Sequence, residues 1–254
     1  MTVNIRLGAL LGPVVDAAAS NMLAEQARRY VGEGFTSLWA AQAIGRGFMV
    51  PDPFLVMTVA ATATEGVEIG SAIVQAPLYH PLDFAHRVLS LQQICGDRLI
   101  LGVGAGSTRS DYAAFDRDPE TRFQALPASL EALRSVYRPG SPLNGVLTPW
   151  PSLAAPRIFY GTWGKGVEKA AREFDGWIAS GHYRSVEEVS QAAERYRSAE
   201  GGRSIVSTLI LDAETDLGEF RSRLARFAAA GFDDAVVMIR PGGPSPAQVR
   251  QLLD

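Results

Sequence analysis

Apolar residues fall into short runs along the chain, and each run is followed by a segment with helical spacing. The runs predict strands at residues 5–11, 35–41, 66–74, 98–103, 157–160, 176–180, 204–211 and 234–239. The segments between them predict helices at residues 21–32, 52–64, 80–94, 119–137, 166–174, 185–197, 215–230 and 245–253. Residues 138–156 are rich in proline, glycine and serine and predict a loop.

The strand runs are apolar throughout and show no clean alternation, which is typical of strands buried on both faces of a parallel sheet. Eight β/α units in 254 residues favour a closed (β/α)8 TIM barrel of the α/β class. An open, doubly wound sheet is the alternative. Because no linker divides the chain, we expect one domain over residues 1–254.

In a barrel of this kind, catalytic side chains lie on the loops that follow the C-terminal ends of the strands. Several of these loops carry residues that core packing does not require. The predicted loops lie around Leu10, Gln42, Gln75, residues 104–112, residues 161–165, His182, Asp212 and Arg240.

Two of these loops are rich in glycine. The stretch LILGVGAGSTRSDY (99–112) has alternating glycines, lacks the G-x-G-x-x-G spacing of a dinucleotide site, and predicts no helix directly after it. In YGTWGKGVEKAA (160–171) a helix begins at once, so free backbone N–H groups and Lys165 would favour an anion. A purely structural turn is the alternative for both loops.

Composition removes several classes of function. The formal net charge is −3 and there is no basic run, so we expect no nucleic-acid partner. The histidines are not grouped with carboxylates at ligand spacing, so we expect no metal. The lone Cys95 excludes an internal disulfide, and no apolar run approaches the ~18 residues of a membrane span. The N-terminal stretch fits a buried strand better than a signal peptide, and we expect a cytoplasmic protein.

Four stretches together resemble the bacterial luciferase-like family of flavin- or coenzyme F420-dependent enzymes. They are FTSLWAAQAIG (35–45), EIGSAIVQAPLYHPLDFAHRVLSLQQICGDRLILGVGAGS (68–107), GTWGKGVEKAAREFDGWIASG (161–181) and GFDDAVVMIRP (231–241). The resemblance implies a (β/α)8 barrel, a homodimer, and an oxidoreductase or monooxygenase that acts on a small molecule. Many members have an acid–histidine pair where this chain has Gln42 and Ala43, and this difference favours F420 over FMN.

The resemblance also implies positions for the cofactor. A non-prolyl cis peptide at Ala72–Ile73, adjoined by Val74 and Gln75, would support the ring. The loop Gly104, Ala105, Gly106 and Ser107 would pass along the ring, and the turn Gly161, Thr162, Trp163, Gly164 and Lys165 would hold the phosphate. Trp163 departs from the glycine common in relatives. Ser107 departs from the acid that some deazaflavin dehydrogenases of the family use for proton transfer.

With a bound cofactor, the sequence predicts hydride transfer to or from a small organic substrate. His182 is the candidate general acid because its ordinary pKa lies near neutrality, and Tyr112 is a weaker one. Gln42 and Gln75 are candidates to hydrogen-bond the ring edge or the substrate. An FMN-dependent monooxygenase and a non-catalytic flavin-binding barrel are the alternatives.

Overall fold

A computed structural model of the chain describes residues 2–12, 22–45, 47 and 50–254. In these residues the strands run parallel in one sheet, which closes through a pairing between β3 and β5. The strands are β1 (Arg6–Leu10), β2 (Ser37–Ala40), β3 (Glu68–Ser71), β4 (Val74–Gln75), β5 (Leu99–Gly104), β6 (Arg157–Gly161), β7 (Gly176–Ser180), β8 (Arg203–Leu211) and β9 (Asp234–Ile239). Since β3 and β4 are two pieces of one barrel strand, the predicted closed (β/α)8 barrel is confirmed.

Helices surround the barrel. They are α1 (Met22–Gly32), α2 (Pro53–Ala63), α3 (Pro81–Cys95), α4 (Arg109–Ala113), α5 (Arg122–Tyr137), α6 (Pro142–Val146), α7 (Gly166–Glu173), α8 (Val186–Ser198), α9 (Leu217–Ala229) and α10 (Pro246–Gln251). The predicted helix starts at Asp52 and at the Ser185–Glu188 capping box are confirmed by their hydrogen bonds.

Two local predictions were wrong. The loop 138–156 contains α6, because the Ser141 hydroxyl accepts from the N–H of Asn144 and starts a short helix. The segment after the alternating glycines contains the one-turn helix α4. The predicted cis peptide at Ala72–Ile73 is present, and it divides the strand predicted at 66–74 into β3 and β4, whose pairing with β5 slips by one residue across that bond. The predicted N-terminal residue of α1, Asn21, lies outside the described residues.

Apolar side chains form two layers. The larger layer fills the space between the strands and the helices, and the smaller one fills the barrel interior. Trp39 belongs to the interior layer, is 1% exposed, and donates from Nε1 to the Ser37 hydroxyl at 2.8 Å. Trp39 is therefore a core residue.

An ion network closes the N-terminal end of the barrel. Arg203 of β8 donates to both Asp234 oxygens (Nε–Oδ2 2.8 Å, Nη2–Oδ1 2.9 Å) and to both Glu68 oxygens (2.8 and 2.6 Å). Arg6 binds Asp234 at 2.9 Å, and Arg157 binds Glu68 at 2.9 Å. The network thus joins the starts of five strands.

The network also shifts the pKa of Glu68. Burial raises this pKa, but hydrogen bonds and charge from Arg203 and Arg157 outweigh burial and hold it below its ordinary value. A carboxylate whose pKa is lower in the folded than in the unfolded chain stabilises the fold at neutral pH. That contribution is lost as the pH falls through the folded-state pKa.

Candidate active site

The C-terminal ends of the strands surround a cavity of about 720 Å³. Seven of the eight predicted loops contribute to its lining, and the loop at Asp212 does not. Most of the lining is apolar, with a small number of polar groups, as in sites that bind organic ligands. This position is the one at which barrels of this architecture carry their active sites.

Most of the cofactor candidates from the sequence meet at this cavity. Its lining includes Gln42, Ala72, Ile73, Gln75, Ala105, Gly106, Ser107, Gly161, Thr162, Trp163 and the catalytic candidate His182. Four other candidates lie beside it and are not part of the lining: Val74, Gly104, Gly164 and Lys165. Val74 is fully buried, and Lys165 is exposed at the start of α7.

The alternating glycines accommodate alternating residues of the neighbouring strand. A Cβ on Gly102 would lie 1.8 Å from the Ser71 carbonyl oxygen, and one on Gly104 would lie 2.5 Å from Ile73 Cδ1. A Cβ on Gly106, whose φ is +74°, would lie 1.9 Å from Gln75 Oε1. These glycines therefore make room for residues 71, 73 and 75 next to the cis peptide. This close packing explains why glycine occurs at every second position, and no bound phosphate is needed to explain it.

Two glutamines are linked at the rear of the cavity. Gln42 Nε2 donates to the Tyr79 hydroxyl (2.8 Å), and Gln42 Oε1 accepts from the backbone N–H of Gln75 (2.7 Å). Burial and the charge of Asp52 raise the pKa of Tyr79 to about 12, so its hydroxyl stays protonated at neutral pH. Gln42 thus fixes the backbone position of Gln75.

The side chain of Gln75 has one satisfied end and one unsatisfied end. Its Nε2 donates to Asp111 Oδ2 at 2.7 Å. Because Asp111 Oδ2 accepts this hydrogen bond, the contact fixes the orientation of the Gln75 amide. Its Oε1 is buried and accepts no hydrogen bond from the residues that the structure describes, although Gln75 lines the cavity and is only 2% exposed. A buried acceptor without a partner is costly unless a ligand supplies the donor.

The turn between β6 and α7 forms one side of the cavity. Gly161, Thr162 and Trp163 line it, and the Thr162 carbonyl accepts from Trp177 Nε1 at 3.1 Å. Gly166 packs closely against Thr162, since a Cβ there would lie 2.0 Å from the Thr162 hydroxyl oxygen. Trp163 packs against the core and lies under the guanidinium of Arg184.

His182 lies after β7 at the rim of the cavity. Its ring contacts Tyr183 edge-on, with centroids 4.5 Å apart, and its side chain is exposed. Arg223 donates from Nη2 to the carbonyl of Gly181 at 2.6 Å, which holds the start of this loop. The position suits a residue that exchanges protons with both solvent and ligand.

Four other titratable side chains are not part of the cavity lining: Tyr112, His80, His86 and Cys95. The Tyr112 hydroxyl donates to the Ala105 carbonyl, and burial raises its pKa to about 12, so it is poorly suited to acid catalysis at neutral pH. His80 caps α3 by accepting from the N–H of Leu82, and His86 is exposed on the same helix. Cys95 is buried at the end of α3.

Four residues at the site were not identified as site residues from the sequence. Asp111 fixes Gln75, while Arg184 and Arg240 line the mouth of the cavity. Thr208 lines the cavity from a bulge in β8 and has a φ of +61°, which is rare for a β-branched residue. No local pattern marks Thr208, because it lies inside an apolar run.

Two absences concern the described part of the chain. No cluster of His, Cys, Asp and Glu there could hold a metal ion. In that part, no helix has the length and hydropathy that crossing a membrane requires.

Comparisons with known proteins agree with this geometry. The family model described as luciferase-like monooxygenase matches residues 8–236, and the chain therefore belongs to that family of enzymes. A 4-hydroxyprotoasukamycin monooxygenase from Streptomyces nodosus subsp. asukaensis is 30% identical over 126 residues, which are 49% of this chain and 34% of that protein. The chain thus matches about a third of the length of that relative.

Solved structures share the fold. Apo-MsnO8 superimposes with a TM-score of 0.75 at 20% identity, covering 98% of this chain and 97% of its own. The 3,6-diketocamphane monooxygenase of Pseudomonas putida, in complex with FMN, has a TM-score of 0.66 at 18% identity and covers 87% and 71%. The coenzyme F420-dependent tetrahydromethanopterin reductase of Methanopyrus kandleri has a TM-score of 0.66 at 14% identity and covers 100% and 97%.

Proposed function

We propose that this enzyme binds coenzyme F420 in the main cavity and transfers a hydride between it and a small organic substrate. The observation that carries the proposal is the Oε1 of Gln75, a lining residue two positions after the cis peptide, which accepts no hydrogen bond from the described residues. The polar edge of a flavin or deazaflavin ring carries an N–H group, and this group would satisfy that acceptor. The residues present thus fit the coenzyme.

The bound coenzyme supplies the hydride, and the chain supplies position and protons. Asp111 and Gln42 hold Gln75 in place, and the apolar lining around Ala72 and Ile73 excludes water from the ring. His182 at the rim is the group that gives or takes the proton. The turn 161–165 holds the side chain of the coenzyme through its backbone.

Two features support F420 over FMN. The sequence has Gln42 and Ala43 where many relatives have an acid–histidine pair. In addition, Arg184 and Arg240 line the mouth, and no Asp or Glu is among the described lining residues. The side chain of F420 carries carboxylates as well as a phosphate, so it offers these cations more partners than FMN does.

An FMN-dependent monooxygenase is the second candidate. It is favoured by the name of the Streptomyces relative, a monooxygenase, and by the FMN complex of the Pseudomonas structure. In this case the same cavity and the same Gln75 would hold the ring.

The proposal also includes a homodimer. Helix α2 has no charged residue, and Leu55 on its surface is 67% exposed. Association with a second copy would remove this side chain from water.

Titration of the purified protein with F420 and with FMN, followed by ligand fluorescence, tests the proposal. We expect F420 to bind more tightly, and we expect reduced F420 to be oxidised without oxygen by a member of a panel of enones, imines and nitro compounds. Oxygen consumption with reduced FMN and no binding of F420 would instead support the monooxygenase.

Replacing His182 by glutamine is expected to lower kcat about 100-fold, because a positioned general acid typically contributes at least that factor. The pH dependence of kcat should change as well, while the Kd of the coenzyme stays within twofold. The exposed His86→Gln on α3 is the matched control and should leave the profile unchanged. An unaltered pH profile in His182→Gln would exclude His182 as the acid.

A further inference from the structure

The cavity lining contains a guanidinium that forms no ion pair with any residue in the described part of the chain. Arg184 lines the cavity, and no acidic side chain among the described residues pairs with it. The described lining as a whole has no carboxylate, although the protein carries a formal net charge of −3. A cavity with unpaired cations in an acidic protein favours an anionic ligand.

Trp163 holds this guanidinium in one place. The Arg184 guanidinium carbon lies 3.9 Å from the centroid of the Trp163 ring, and Trp163 packs against the core. Stacking occupies the face of a guanidinium and leaves the N–H donors at its edge free. The stacked Arg184 is thus prepared to form hydrogen bonds in the plane of the group, as phosphate recognition requires.

The loop that carries Arg184 is held at both ends. Arg223 binds the Gly181 carbonyl at its start, and the Ser185 hydroxyl caps α8 at its end. Lys165, the cation that the turn itself provides, is exposed and does not line the cavity. The turn 161–165 therefore borders the cavity with its backbone and with Trp163. The cation that contacts this turn is Arg184, through the Trp163 ring.

We infer that Arg184, stacked on Trp163, is the anchor for the phosphate of the coenzyme. This inference rests on the proposed function and assigns the charge of the phosphate site to a residue outside the turn. It also gives Trp163 a role. This residue replaces the glycine that is common in relatives, and its indole orients Arg184.

Coenzyme forms with and without phosphate test the inference. The Kd of wild type and Arg184→Gln is measured by fluorescence titration for FMN against riboflavin and for F420 against its phosphate-free deazariboflavin precursor. We expect Arg184→Gln to weaken binding of the phosphate-bearing form about 10- to 100-fold, the size of a charge-assisted hydrogen bond, and to leave the phosphate-free form unchanged. Lys165→Gln tests the cation of the turn and should weaken the phosphate-bearing form less than Arg184→Gln does. The matched control is Arg172→Gln, an exposed cation on α7 outside the cavity lining, and it should change both by less than twofold.

Variants of Trp163 separate orientation from folding. Trp163→Phe keeps an aromatic face and should bind the phosphate-bearing form within about twofold of wild type, whereas Trp163→Ala should weaken it roughly five-fold. Equal losses for both coenzyme forms, no loss in Arg184→Gln, or a larger loss in Lys165→Gln would overturn the inference. Each of these outcomes would be observed with a wild-type protein that binds the coenzyme, so the proposed function would stand. If wild type binds neither FMN nor F420, the proposed function itself is wrong.

Discussion

Replacing Asp234 by alanine is expected to lower the free energy of unfolding by about 3–5 kcal/mol, the usual cost of breaking a buried ion pair from one side. Asp234 is fully buried and receives hydrogen bonds from Arg203 and Arg6. Its removal leaves the partly buried Arg203 charge with Glu68 as its remaining carboxylate partner. Urea denaturation with a constant m-value measures the change directly.

An exposed ion pair provides the comparison. Arg138 binds Glu131 at 3.1 Å, and both side chains are more than half exposed. Glu131→Ala should change the free energy of unfolding by less than about 1 kcal/mol, because water screens such a pair. If Asp234→Ala costs no more than Glu131→Ala, the network at the N-terminal end does not hold the barrel together.

Replacing Gln75 by methionine is expected to weaken coenzyme binding by roughly 10- to 100-fold. Methionine has a similar length but cannot accept from the ring N–H, and an unsatisfied donor costs about 1–3 kcal/mol. The variant also removes the hydrogen bond to Asp111 Oδ2, so a loss of about 1–3 kcal/mol in stability accompanies it. Fluorescence titration gives the Kd, and urea denaturation gives the stability.

Gln92 on α3 is the control for this substitution. It is also 2% exposed and also has an unpartnered Oε1, but it does not line the cavity. Gln92→Met should therefore leave the Kd unchanged. An unchanged Kd in Gln75→Met would show that the unpartnered acceptor is not where the ring binds, and the proposed function would lose its main support.

The alternation of strands and helices followed from the sequence because burial acts locally. A strand covered on both faces must be apolar at every position, and a helix against a sheet must repeat its apolar residues every three to four positions. Caps such as Asp52 and Ser185 are likewise local, because their hydrogen bonds reach only two or three residues along the chain. Short helices such as α6 lack a repeated apolar pattern and were therefore not predicted.

The sequence by itself determined the eight β/α units and the loops that follow their strands, whereas the closure of the barrel is seen in the pairing of β3 with β5. Tertiary structure decided which residues meet at its mouth: Gly102, Gly104 and Gly106 against residues 71, 73 and 75, Asp111 against Gln75, and Arg184 against Trp163. The physical reason is that periodicity and capping depend on neighbours within about one helical turn. Contacts between strand ends depend instead on register and closure, which no local pattern encodes.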